Sequence, residues 1–170
     1  MKPPIPLNEH ARLDLLRQYK ILGTLAEEAF DEITAHAAAV CHTPVSLLSF
    51  VDRDRTWFKS NHGWDQREIP RDVSFCAHAI CQAGLYITQD MLADERFSQN
   101  PLVTQKPHFR FYAGVPLLSP EGLALGTLCV IDKQPRQLTP EQIESLQELA
   151  KGAVLLLEVR RAAGGSSPRA

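Results

Sequence analysis

The sequence predicts an α+β domain, an antiparallel sheet with helices packed on it. Two observations carry this. Strand-like runs come in pairs around turn residues, VSLLSFVD with RTWFKSN and FRFYAGVPLL with LALGTLCVID. The elements then read helix, helix, hairpin, helix, strand, loop, hairpin, helix, an order that segregates helices from strands.

Residues 1–7, MKPPIPL, hold three prolines and are expected to be an irregular lead-in. From Asn8, an available N-cap, Leu13, Leu16 and Tyr19 recur at helical spacing up to the break at Gly23. Thr24-Leu25-Ala26-Glu27 has the form of a capping box opening a helix to about Val40, with Leu25, Ala29, Ile33, Ala37 and Val40 facing inward. The first hairpin turns through Asp52 to Arg55. After the loop HGWDQREIPRDV, a helix capped by Ser74 is expected from Phe75 to Gly84, followed by a brief strand, LYIT. The polar stretch QDMLADERFSQNPLVTQKPH is too broken for one helix and too long for a turn, a pattern that often marks a functional loop. The second hairpin closes through Ser119-Pro120-Glu121-Gly122, with proline second and glycine fourth. A last helix starts at Pro140, where Thr139 caps, Gln142 completes the capping box and Leu138 staples onto Ile143. Its stripe is Ile143, Leu146, Leu149, Ala150, Ala153, Val154 and Leu157. The organisation expected is a lead-in over 1–7, one domain over 8–160 and a disordered tail over 161–170.

With 18 Lys and Arg against 20 Asp and Glu, the net charge of -2 gives no basic footprint for nucleic acid or an anionic membrane. The N-terminal residues have no apolar signal core, and no run approaches the roughly 20 apolar residues of a membrane span. A soluble cytoplasmic protein is expected. Cys41, Cys76, Cys81 and Cys129 are too sparse for a disulfide scaffold and form no CxxC, and the six histidines form no HxxxH or HExxH. Free thiols and no structural metal follow.

SFCAHAI, Ser74 to Ile80, puts Cys76 in a first helical turn, where free amides favour a thiolate. Residues two apart on a helix diverge by about 200°, so His78 cannot act as base to Cys76. Cys76 reads either as a small buried residue or as a reactive thiol, and His78 either as a satisfied core histidine or as a ligand contact.

Together, DVSFCAHAI, ITQDMLADERFSQNPLV, FRFYAGVPLLSPEGLALGTLCVID and LTPEQ resemble a GAF domain of the bacterial signalling type over about Asn8 to Arg160. The resemblance implies a six-stranded antiparallel sheet with helices on its faces, the terminal helices packed together. It also implies a pocket for a small molecule between the sheet and the connections on one side. That pocket would draw on Trp57, Phe58, Cys76, His78, Asp90, Phe97, Arg110 and Tyr112. Arg110, whose fork matches a carboxylate or phosphate, would meet an anionic ligand; Trp57 and Phe58, adjacent on a strand, cannot both line one cavity.

The catalytic and cofactor-bearing branches of the family fit less well. Free methionine-R-sulfoxide reductases resemble this chain at Cys76, but Glu95 to Arg110, which matches the loop holding their catalytic cysteine, contains no cysteine. Phytochrome-like members attach a bilin through a loop cysteine, often Cys-His, and here Cys41-His42 stands at a helix end, against covalent bilin. The cyclic-nucleotide signature is not recognisable. The expectation is a non-enzymatic sensory domain that binds a non-covalent effector, dimerises through its terminal helices and signals to an output protein or domain. The alternatives are a thiol enzyme or redox sensor centred on Cys76, with Cys81 as resolving partner, and a ligand-free interaction module.

Overall fold

Residues 1–164 are described by a computed structural model. Six strands, β1 Val45–Val51, β2 Arg55–His62, β3 Glu68–Pro70, β4 Tyr86–Thr88, β5 Phe111–Leu118 and β6 Ala124–Asp132, form one antiparallel sheet in the order β3-β2-β1-β6-β5-β4. Both expected hairpins are present. The short edge strand β3 lies inside what the sequence presents as loop, because three residues are too few to show a period.

Alternation along the strands divides the interior into two layers. Leu48, Phe50, Phe111, Ala113, Leu128 and Val130 face helices α1 Glu9–Gln18, α2 Glu28–Cys41 and α5 Pro140–Ala162. Leu47, Val51, Phe58, Tyr112, Cys129 and Ile131 face the short helices α3 Phe75–Ala79 and α4 Pro101–Thr104 and the loops joining them. On the first face α5 lies against α2, while α1 meets β6 and reaches α5 through the Tyr19 hydroxyl, which donates to Glu158.

The start of α5 is as expected: Thr139 accepts from the Gln142 amide at 3.1 Å and Gln142 Oε1 accepts from the Thr139 amide at 2.9 Å. The Thr24 capping box does not form. The Thr24 hydroxyl donates to the Ile21 carbonyl at 2.6 Å and accepts from Lys59 Nζ at 2.9 Å, and Glu27 is drawn into ion pairs with Lys59 at 2.5 Å and Arg160 at 3.0 Å. A buried lysine thus competes with the helix for both capping groups, and α2 begins only at Glu28. Its inner face is correspondingly Phe30, Thr34, Ala37, Ala38 and Cys41; of the expected set Ala37 is buried, Ile33 and Val40 half-buried, and Leu25 and Ala29 exposed. Asn8 precedes α1 without a side-chain cap bond. α3 stops at Ala79, well short of Gly84, and α5 runs on to Ala162, so the first residues of the expected tail are helical; residues 165–170 lie outside the described ones.

The sheet's centre joins β1 to β6, strands from opposite ends of the domain, and the backbones meet closely at Gly126. A Cβ there would lie 1.8 Å from the Ser49 carbonyl oxygen and 2.6 Å from its carbon. Backbone atoms in mid-sheet cannot yield as a side-chain tip does. Gly126→Ala is expected to cost about 3 kcal/mol, the upper end of overpacking effects. The urea midpoint measures this, and an unchanged midpoint would show that the two strands can separate without loss.

Candidate functional site

Ser74 accepts from the Ala77 amide at 3.2 Å and from the Thr56 hydroxyl at 2.8 Å, so it caps α3 and fastens it to β2. The five residues of α3 then lie over the sheet with all of their side chains buried. Asn100 caps α4 through the Leu102 amide at 2.9 Å and donates to the Val73 carbonyl at 3.0 Å, tying the long loop to the turn before α3.

The chamber between α3, this loop and the sheet is occupied by aromatic side chains. Phe75 stands edge-on to Phe97, Tyr112 and Phe109 at centroid distances of 5.5, 5.6 and 6.3 Å, and Trp64 stands edge-on to Phe109 at 5.2 Å. Phe58, Phe97, Phe109 and Tyr112 are fully enclosed. Such edge-to-face contacts add to the burial of the rings, so Phe97 and Tyr112, with Phe58 beside them, pack as part of a second core.

Of the expected site residues, Phe58, Cys76, His78, Phe97 and Tyr112 come together in this layer. Three do not. Trp57 lies on the opposite face against Phe50, at 6.4 Å between ring centroids, because neighbours on a strand point to opposite sides. Asp90 accepts from the Leu92 amide at 3.1 Å and serves the turn Met91–Ala93. Arg110 donates to the carbonyls of Val103 at 2.9 Å and Phe109 at 3.2 Å, so its fork holds the loop and does not face the chamber as an anion anchor.

Arg96, which the sequence did not single out, stands at the chamber's edge. It donates to the Tyr86 hydroxyl at 2.5 Å, pairs with Asp94 at 2.5 Å, and lies 5.1 and 5.3 Å from the centroids of Tyr86 and Phe97. The signal was the i, i+2 pair in Asp94-Glu95-Arg96 beside an aromatic, too common a pattern to stand out. Hydrogen bonds from Arg96 hold the Asp94 carboxyl below its ordinary value. His78 packs against Phe97 at 4.7 Å, and its Nε2 has no hydrogen-bond partner among the described residues. Burial, reinforced by the Arg96 charge, pushes its pKa down to about 4.

A buried ionic cluster links this layer to α1. Arg71, in the turn Arg71–Val73 that leads to α3, donates to Glu9 through Nη1 at 2.5 Å and Nη2 at 3.2 Å, while Arg12 Nε donates to the same carboxylate at 3.0 Å. Burial opposes the Glu9 charge, but the hydrogen bonds from Arg71 and Arg12 outweigh it and leave the carboxyl below its ordinary value. Arg12 also reaches the Ala124 carbonyl on β6 at 3.3 Å. Breaking one side of such a pair leaves a charge buried alone, which makes the link rigid.

A family model described as GAF domain matches residues 24–155. The chain is 43% identical over 150 residues to a cyclic di-GMP phosphodiesterase of Pseudomonas aeruginosa. That alignment takes in 88% of this chain but only 26% of the relative's length. Among solved structures, the blue-light-absorbing form of the PixJ GAF domain of Thermosynechococcus elongatus superposes with a TM-score of 0.63 at 19% identity, covering 94% of this chain and 93% of that one. Free methionine-R-sulfoxide reductase from Neisseria meningitidis, in complex with its substrate, does so with 0.64 at 19% identity, covering 89% and 93%. These two likenesses are of fold. No helix among the described residues is long and apolar enough to cross a membrane.

The histidine gives a pH test. Its folded pKa of about 4 lies below the ordinary 6.5, so the unfolded chain takes up the proton first. The stability contributed by neutral His78 is therefore fully present above pH 6.5 and is lost as pH falls toward 4. The loss is roughly 2 kcal/mol after allowance for solvent screening. Urea unfolding of the protein and of His78→Leu should give stability curves that run in parallel above pH 6.5, with the parent losing this amount relative to the variant between pH 6.5 and 4; curves that stay parallel throughout would mean that His78 accepts its proton without cost.

Proposed function

Because the chain belongs to the GAF family, we propose that it is the regulatory module of a signalling protein, in which a small molecule admitted beneath α3 alters how α3 is held and the terminal helices carry the change to an output. The observation that carries this reading is the Arg71–Glu9 pair, which joins the turn opening α3 to the first terminal helix. An effector needs Phe97 and its loop to move aside, and on entering it would meet aromatic faces, the unpartnered His78 Nε2 and the Tyr112 hydroxyl. Binding then selects an arrangement in which the aromatic layer is opened, and it signals to the extent that it favours that arrangement over the closed one. The relative named as a cyclic di-GMP phosphodiesterase supports cyclic di-GMP turnover as the output, with hydrolysis assigned to parts of such a protein outside this chain.

A homodimer through α5 is the arrangement we assign to the module. Leu155 and Val159, one helical turn apart, are 67% and 68% exposed, and a groove of about 700 Å³ runs beside them between α5 and the β4–β5 end of the sheet. Light scattering at tens of micromolar is expected to give a dimer that Leu155→Glu converts to monomer; a monomeric parent protein would remove this part of the reading.

Two measurements test the regulatory reading. Native mass spectrometry of freshly purified protein should show an excess mass that denaturation removes and that Phe97→Trp, which overfills the chamber, abolishes. Phe97→Leu, a loosening of about 1–2 kcal/mol, should speed amide exchange in α3 and α1 together, and adding Glu9→Gln should confine the change to α3. An α1 that does not respond to Phe97→Leu would sink the transmission route, and an excess mass indifferent to Phe97→Trp would place the effector elsewhere.

A further inference from the structure

The four cysteines are all free thiols, but their surroundings differ. Cys41, the last residue of α2, faces the apolar layer between that helix and the sheet, where burial pushes its thiol up to about 11, and burial raises half-exposed Cys81 as well. Cys76 from α3 and Cys129 from β6 are both buried in the second layer, where α3 packs on β6, and each thiol shifts the other's ionisation. The sheet surrounds them with hydroxyls. Tyr112 Oη lies 3.3 Å from Cys76 Sγ and 3.3 Å from Thr127 Oγ1, which lies 3.0 Å from Ser49 Oγ.

Strand register explains the cluster. Ser49 faces Thr127 across β1 and β6, and Cys129, two residues further along β6, shares the face of Thr127. Opposite Cys129 on β5 stands Gly114, and the Tyr112 side chain lies over it: a Cβ on Gly114 would fall 2.4 Å from Tyr112 Oη. The missing side chain is what lets the phenol reach the thiols.

We propose that Cys76 and Cys129 are a peroxide-sensitive dithiol that closes to a disulfide between α3 and β6. The thiolate is the nucleophile, and in a wholly apolar site burial would suppress it. Here burial is outweighed by the polar groups around Cys76, the Tyr112 hydroxyl that donates to it at 3.3 Å among them, which hold its thiol below the ordinary value while Cys129 is pushed well above its own, so Cys76 is the one that ionises first. Cys76 Sγ attacks one oxygen of a hydroperoxide and the O–O bond breaks. The leaving alcohol, or water from hydrogen peroxide, takes the Cys76 proton, and Cys76 becomes a sulfenic acid. Cys129 Sγ then attacks Cys76 Sγ, the S–O bond breaks, and water leaves with the Cys129 proton. The two thiols are oxidised by two electrons in all, and one peroxide is reduced. At 4% exposure for Cys76, only a small oxidant can take part. The bond would pin α3 to the centre of the sheet.

The test exposes the native protein to hydrogen peroxide near neutral pH, quenches in acid, unfolds, alkylates with a maleimide and counts adducts by mass. The expected result is a fall from the four adducts of the untreated protein to two, with a linked peptide pair carrying Cys76 and Cys129 and full recovery of adducts under dithiothreitol. Cys81→Ser should form the same link, whereas Cys129→Ser should form none and accumulate oxidised Cys76. Four adducts persisting under peroxide that fully oxidises a small-molecule thiol would overturn the proposal, as would a link made to Cys81 or Cys41. Neither result depends on an effector, so this inference and the regulatory reading fail separately.

Discussion

The pairing of β1 with β6 is the constraint on which the rest of the structure depends. These strands lie far apart in the chain, and they approach at Gly126 to a distance that no side chain would allow. Their register decides which face each residue of the sheet presents. A slip of one residue would exchange the Leu128 and Val130 set for the Thr127, Cys129 and Ile131 set and ruin both layers at once. With both faces covered, register is specified twice over.

The two layers differ in kind. The helical face is a large aliphatic core under α2 and α5, bordered by buried ions in which one carboxylate serves two cations: Glu27 for Lys59 and Arg160, Glu9 for Arg12 and Arg71. In each cluster the carboxylate reaches a cation from another element, Glu27 meeting Lys59 on β2 and Arg160 on α5 and Glu9 on α1 meeting Arg71 ahead of α3, so the ions fix the angles at which elements meet. This geometric role is better founded than a net contribution to stability, since desolvation cancels much of the attraction.

The opposite layer is covered only by short helices and loops, and it is filled with rings. Edge-to-face aromatics leave little free volume, yet each ring is held by a few contacts to a short segment, not by a long helix. The elements that cover this layer are the weaker ones, and local opening is expected to draw on them first. Buried among the rings are polar groups that an inert core would not need: the hydroxyl-lined thiols and a histidine with one nitrogen unpaired.

The sequence by itself determined the fold class, both hairpins, the Ser74 cap, the start of α5 and five of the residues in the second layer, because local signals govern them: turn chemistry, capping and strand alternation. It missed what distant partners decide. Lys59 takes Thr24 and Glu27 away from α2, and no pattern within residues 24–27 could reveal a buried amine arriving from β2. Arg110 had the right chemistry for an anion but sits where loop carbonyls claim it, and Arg96 holds the chamber's edge through rings next to it only in space. Only the tertiary structure decided that the chamber is packed, since volume is a property of all its walls together. Cys76 and Cys129 likewise came into one layer only when α3 was laid on β6, elements far apart in the chain.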